Sequence, residues 1–340
     1  MRFGVELPTC TAGMMHPVPF ATAGEIVDTA VEAEQLGYYD VGGNDHLSTM
    51  DFVRKAWPRP PDYFEPLITL ATVAARTSVL RLTTGIMVLP MRDPVLLAKQ
   101  IATLDQLSNG RVTLGTAVGG YRDEFEAVKP DKSRDNRAEI TRETIEAIRA
   151  IWDQRRASYS GRHVHFEDVE SYPKPVQHPL PIYSGGNADG SLRRAAEFCQ
   201  GWLPAKIGPE AIAEGRKKIA AYAESFGRSP RDIVIALQSV VCLGKSAEDA
   251  REIFLNSSFD LFRKSLQHSM TKGIDLDTYL ATNLVGSPDE VCEKVAAYQR
   301  AGLDHMAALL FVGNTVDEMR EQIRRFACEV LPNFPDNAAN

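Results

Sequence analysis

The 340-residue chain has no stretch approaching the ~20 consecutive apolar residues of a membrane-spanning helix. Its first residues, Met1-Arg2-Phe3-Gly4-Val5-Glu6-Leu7-Pro8, lack the long apolar region of a signal peptide and read as a core strand. Cysteine is scarce. Cys10, Cys199, Cys242, Cys292 and Cys328 are scattered, odd in number and never spaced Cys-x-x-Cys. That excludes a disulfide framework and a Cys-ligated zinc site, and it implies a reduced, cytoplasmic protein. No block of one charge sign stands out. Acids and bases are mixed at a net charge of −7, which argues against a nucleic-acid partner and for ordinary solubility. Internal repeats and low-complexity segments are absent. No Gly-x-Gly-x-x-Gly follows the first apolar run, so an open doubly wound dinucleotide-binding sheet loses its main support and stays only as the runner-up fold.

What is present is an alternation of short apolar runs with helical patterns. Runs at 2–7, 38–42, 80–89, 111–117, 181–184, 201–203, 233–243 and 305–312 read as strands. Between and after them, helical periodicity covers 23–36, 64–75, 94–107, 138–152, 191–198, 209–226, 287–301 and 315–330. Pro94 suits a first helical turn, Gly37 and Gly110 act as stops, and Ser287 with Glu290 forms a capping pattern. Eight strands, nearly all followed by a helix, predict a (β/α)8 TIM barrel with insertion segments at its C-terminal mouth. One domain over 1–332 and a frayed tail over 333–340 are expected. The segments 43–63, 119–137, 158–180 and 246–284 exceed ordinary connection lengths, and loops after barrel strands build active sites. Within the last of them, Phe254, Phe259, Phe262 and Leu266 lie near helical spacing, which suits either a cap on the barrel mouth or a dimer contact.

A set of words occurs in order along the chain. They are Gly85-Ile86-Met87-Val88-Leu89-Pro90-Met91-Arg92-Asp93-Pro94, Leu104-Asp105-Gln106-Leu107-Ser108-Asn109-Gly110-Arg111, Pro173-Lys174-Pro175-Val176-Gln177, Pro181-Ile182-Tyr183-Ser184-Gly185-Gly186, and Gly286-Ser287-Pro288-Asp289-Glu290-Val291. The set resembles the bacterial luciferase-like superfamily of flavin- and F420-dependent oxidoreductases, and looks most like its probable F420-dependent branch. The resemblance implies coenzyme F420 or FMN as cofactor, a small organic substrate, a flavin or F420 reductase as partner, and a homodimer.

It also implies a site. Asp45-His46 follows strand two, where relatives carry an acid-histidine pair beside the reacting face. A histidine there can move protons near neutral pH, while the bland alternative is a locally bonded loop histidine. At Gly85-Ile86 the family has a non-proline cis peptide that bulges against the cofactor ring. Ser184-Gly185-Gly186-Asn187 lies where the family holds the cofactor phosphate, and a following helix adds its positive end. Gly119 and Gly120 lie near the ring. Some F420-dependent dehydrogenases place a catalytic glutamate just after this glycine, but here Gly120 and Tyr121 stand instead, and Glu124 further along reads as a loop brace. Glu6, ending strand one, points toward the same mouth. Buried near the ring, it would have a raised pKa and could relay protons; a hydrogen-bonded barrel-end acid is the equal alternative. Arg122 and Arg137 read as surface residues, Trp152 and Trp202 as packing, and Arg216-Lys217-Lys218 as a solvated helix face. His163-x-His165 has the alternate spacing of one strand face but no evident third ligand, so a surface hairpin is expected and no metal site.

Overall fold

The computed structural model describes residues 1–265 and 273–335. Eight parallel strands form a closed ring: β1 (Arg2–Leu7), β2 (Asp40–Gly43), β3 (Arg81–Thr84), β4 (Val112–Ala117), β5 (Ile182–Gly185), β6 (Gly201–Leu203), β7 (Val234–Leu243) and β8 (His305–Phe311). Each strand pairs with the next, and β8 returns to β1 through Arg2↔His305 and Phe3↔Met306. The barrel is thus the expected one, and the open sheet is ruled out by that closing pair.

The helices start and stop where side chains can satisfy their free backbone groups. The helix Pro94–Leu107 begins at Asp93, whose carboxylate accepts from the Leu96 N–H, and Pro94 occupies a position that has no amide bond to lose. It ends before Gly110, which takes a left-handed φ of 80°. Thr22 with Glu25 and Ser287 with Glu290 form reciprocal capping boxes.

Strand side chains alternate between two faces. The outward set, including Val5, Leu7, Val41, Leu82, Leu114 and Ile182, packs under the helices in one continuous core. The lumen holds a smaller cluster of Tyr183, Leu203, Ala236 and Ala307, with Ile86 against it. Toward the mouth a third body of side chains joins Met14, Met50, Phe254, Phe259, Phe262 and Tyr279. It draws on the insertion helices Asp51–Ala56, Ala247–Leu255, Ser258–Ser265 and Leu276–Ala281. Of the two roles open to the segment around Phe254, the packing matches the cap. Leu266 lies outside the described residues.

Three features differ from the sequence reading. The third strand, expected over 80–89, stops at Thr84; Gly85-Ile86 intervenes, and Met87–Val88 pairs with β4 instead. A short parallel strand, Leu284–Gly286, pairs with the last residues of β7, Val241–Leu243, where only a loop was expected. The end of the chain is tied down further than expected. Phe334 is buried against Phe3, and the Met1 amino group donates to the Phe334 and Pro335 carbonyls. Residues 336–340 lie outside the described residues. The 158–180 segment forms the expected hairpin, Ala157–Ser160 against His165–Val169, and His163 pairs with Glu139 and Asp135 rather than with His165.

Candidate active site

The C-terminal end of the barrel gathers the residues singled out above. At its floor lies the peptide between Gly85 and Ile86, which is cis, as the resemblance implies. The Gly85 N–H donates to the Gly43 carbonyl, and its own carbonyl accepts from the Asn44 side-chain amide at 3.1 Å. The Ile86 side chain lies over Gly115 and Gly185. A Cβ added at Gly185 would stand 2.7 Å from Ile86 Cδ1, so only glycine leaves room for this apolar wall.

Glu6 reaches the same floor. It is buried, and neither carboxyl oxygen has a hydrogen-bond partner among the described residues. It fits because Gly42 and Gly85 carry no side chains; a Cβ at either would come within 2.4 Å of Glu6 Oε2. Burial, then the nearby Asp40 charge, raise its pKa well above the ordinary 4.5. Asp40 is itself engaged by Thr83 and His305.

The folded state therefore holds the Glu6 proton more tightly than the unfolded chain does. Stability from this group is whole below about pH 4.5 and declines as pH rises toward the folded-state pKa. Glu6→Gln keeps the shape and removes the titration. It is expected to raise the melting temperature at mildly alkaline pH relative to the parent, and to change it little in acid. Parallel melting curves at the two pH values check this, and an unaltered pH dependence would show that Glu6 does not titrate as described.

The segment after β2 runs beside this floor and carries Asp45 and His46. His46 Nδ1 lies 2.9 Å from Glu124 Oε2, and the Leu47 and Ser48 N–H groups donate to Glu124 Oε1 at 2.7 and 3.2 Å. With acceptor oxygens on Glu124, the proton of the neutral ring sits on Nδ1, leaving Nε2 an acceptor with no partner among the described residues. The ring is 12% exposed and Glu124 2%. Tyr63 and Tyr121 flank the ring at centroid distances of 5.9 and 5.7 Å, and Phe52 stacks on Tyr121. Burial pushes the Tyr63 hydroxyl up, and that hydroxyl has no partner among the described residues.

Asp45 has different company. One oxygen accepts from the Val88 N–H at 2.9 Å, and both meet the Arg92 guanidinium, which also pairs with Glu65 at 2.8 Å. Its carboxylate is thus committed to the backbone just past the Gly85-Ile86 peptide.

On the opposite rim, Gly185 faces the lumen under Ile86, and strand alternation puts Ser184 on the other face of β5. Gly186 has φ 110°, its N–H donates to the Leu203 carbonyl, and its own carbonyl accepts from Trp202 Nε1. The Asn187 amide makes two 2.9 Å bonds with the Ala205 backbone, locking this turn to the loop after β6. The helix Asp189–Phe198 follows with no side-chain cap, so its first N–H groups stay available. Gly119 takes φ 84°, and open space surrounds the position of a Cβ at Gly120. Arg137, read as a surface residue, donates to the Gly119 carbonyl at 3.1 Å and lies over the Phe125 ring.

Sequence reasoning missed the partnership of Glu124 with His46 and of Arg92 with Asp45. Both newcomers lie inside recognised words or loops, but nothing in their spacing names a partner some 47 to 78 residues away.

Comparison with known proteins places the chain among sequence and structural relatives. The family model described as luciferase-like monooxygenase matches residues 1–305. The oxygenase component of a flavin-dependent trigonelline monooxygenase from Acinetobacter baylyi is 24% identical, the match covering 93% of this chain and 92% of the relative. An F420-dependent glucose-6-phosphate dehydrogenase from Kineococcus radiotolerans is 27% identical over 91% of this chain and 92% of its own length. A higher identity, 37% over 142 residues, links the chain to an uncharacterized Mycobacterium tuberculosis protein; that match covers 41% of this chain and about half, 49%, of the relative. A monooxygenase from Streptomyces bottropensis shares the fold with a TM-score of 0.79 at 23% identity, over 98% of this chain and all of the other. With the family model matched over residues 1–305, the chain belongs to the luciferase-like monooxygenase family.

Proposed function

We propose that this protein is an oxidoreductase that uses coenzyme F420 to exchange hydride with a small organic substrate, with His46 moving the accompanying proton. The observation that carries the reading is the His46–Glu124 pair, which leaves Nε2 free beside the floor built on Gly85-Ile86. F420, when bound, supplies or takes up the hydride, and the protein supplies position and protons. Support for a flat ring in the lumen comes from the apolar wall of Ile86 laid over Gly185, the turn at Gly119, the open space at Gly120, and a carboxyl at Glu6 with no hydrogen-bond partner among the described residues. The turn at Gly186 and the uncapped helix after Asn187 would hold the cofactor's phosphate, with Ser184 and Gly185 behind them at the end of β5.

His46 then accepts or donates the substrate proton through Nε2, while Glu124 keeps the ring in one tautomer and stabilises the charge the ring gains. Burial makes Glu6 hold its proton more tightly, which suits it to relay a proton at the floor. Asp45 works as a positioning residue, fixing the 87–88 backbone with Arg92. A flavin or F420 reductase partner belongs to this reading. So does a homodimer, supported by the exposed Ile68, Leu96 and Leu107 on adjacent outer helices.

The full-length likeness to a two-component oxygenase supports a second reading, in which reduced FMN activates oxygen at the same floor. Titrating the protein with F420 and with FMN, and following absorbance and oxygen uptake, separates the two. Tight binding of FMN alone, with oxygen consumed on reduction, would overturn the F420 reading. Gly120→Val serves as the site control. The side chain enters open space, so stability is expected to hold within about 0.5 kcal/mol. Cofactor affinity is expected to fall at least tenfold by exclusion. Unchanged affinity would remove Gly120 from the cofactor site.

A further inference from the structure

Lys206 follows β6 at the mouth of the barrel and is not used by the chemistry above. It is buried, and no hydrogen bond or ion pair reaches its side chain among the described residues. Its ammonium meets only an aromatic face, lying 4.2 Å from the centroid of Phe262 on the cap helix Ser258–Ser265. The nearest carboxylate along that helix, Asp260, is taken by Arg263 and Lys264 at 2.7 and 2.6 Å.

The backbone at Lys206 is left-handed, with φ 57°, a conformation that side chains other than glycine seldom adopt. It is held there by neighbours, not by the lysine's own side chain. Ala205 is bonded twice to Asn187, and the Lys206 N–H donates to the Gln238 carbonyl at 3.1 Å. A long, solvent-loving side chain is thus aimed under an apolar cap by a braced, strained turn and given no counter-charge. Such an arrangement is kept where the partner comes from outside the protein.

We propose that Lys206 is an anion subsite of the substrate chamber, so that the substrate is a small molecule with an apolar body and a single carboxylate. The apolar body is matched by Phe262, the cap ring that lies over the amine. The single charge is matched by the single unpaired amine; a phosphate dianion would leave one charge unmet in the same surroundings. The amine's ordinary value is lowered by burial to about 7, so a carboxylate arriving beside it restores the charged form rather than competing with an existing pair. The inference rests on the reading of the barrel mouth as the redox site and names the class of molecule admitted there.

Octanoate and octanamide, equal in length and differing in charge, are the probes. Binding of each is measured by calorimetry in slightly acid buffer, on the parent chain and on Lys206→Met and Lys206→Arg, with F420 and FMN affinities recorded on the same samples. The parent is expected to bind octanoate about tenfold more tightly than octanamide. Lys206→Met is expected to abolish the preference and Lys206→Arg to retain it. Methionine replaces an unpartnered buried amine with an apolar chain of similar length, so Lys206→Met is expected to melt no lower than the parent. Equal binding of the two probes by the parent, no binding of either, or a preference that survives in Lys206→Met would overturn the proposal. Each does so alone when cofactor binding is intact, whereas failure of every form to bind either cofactor would overturn the reading of the redox site as well.

Discussion

His46→Ala is expected to lower turnover by about 100- to 10,000-fold, the span that a positioned acid or base commonly contributes, while costing only about 1 kcal/mol of stability. The two effects separate because of where the ring sits. It lies at the rim of the barrel mouth, 12% exposed, outside the continuous core beneath the helices. Its removal takes the partner of Glu124 Oε2, but Oε1 still accepts from the N–H groups of Leu47 and Ser48, so the carboxylate keeps two of its three bonds. Melting temperature and the rate of cofactor oxidation or reduction, measured on the same preparation, check the result. Glu124→Gln extends it. The amide can still meet the ring but stabilises a charged imidazole less well, so turnover is expected to fall while cofactor affinity holds. A loss of turnover in His46→Ala no greater than its loss of stability predicts would remove the histidine from the chemistry.

The largest stability effect is expected at Arg92. Its guanidinium bridges Asp45 and Glu65, and the Asp45 side chain is only 1% exposed. Arg92→Met leaves that carboxylate buried with one backbone N–H for company. Breaking a buried pair from one side typically costs about 3–5 kcal/mol, because the remaining charge loses its partner without regaining water. A fall of this size in the free energy from denaturant unfolding is expected, together with weaker cofactor binding, since Asp45 also secures the backbone beside Gly85-Ile86. Adding Asp45→Asn to Arg92→Met removes the stranded charge and should recover much of the stability. Additive losses in the double variant would show that the two residues do not act as a pair.

These two residues show how the site differs from the fold in legibility. Helix Pro94–Leu107 could be bounded to the residue because its signals are local: a carboxylate accepting from an N–H three residues on, a proline where no amide bond is needed, a glycine where the backbone turns left-handed. Strand count and order followed from periodicity for the same reason. The strand Leu284–Gly286 escaped because three residues carry no period, and only an open side on β7 makes them a strand. The cis bond at Gly85-Ile86 was anticipated from family words, not from the physics of the two residues.

By itself, then, the amino-acid order determined eight strand-helix units, the ends of their helices, and the glycines at one end of a barrel. Closure of the ring decided the rest. It set Glu6 against Gly42 and Gly85, turned Glu124 onto His46 across 78 residues, gave Asp45 to Arg92, and left Lys206 under Phe262 with no counter-charge among the described residues. Caps and periods arise from sterics and hydrogen bonds within a few residues, which a linear chain displays. Which side chains face one another across a barrel mouth depends on strand register and loop path, which exist only once distant strands have paired.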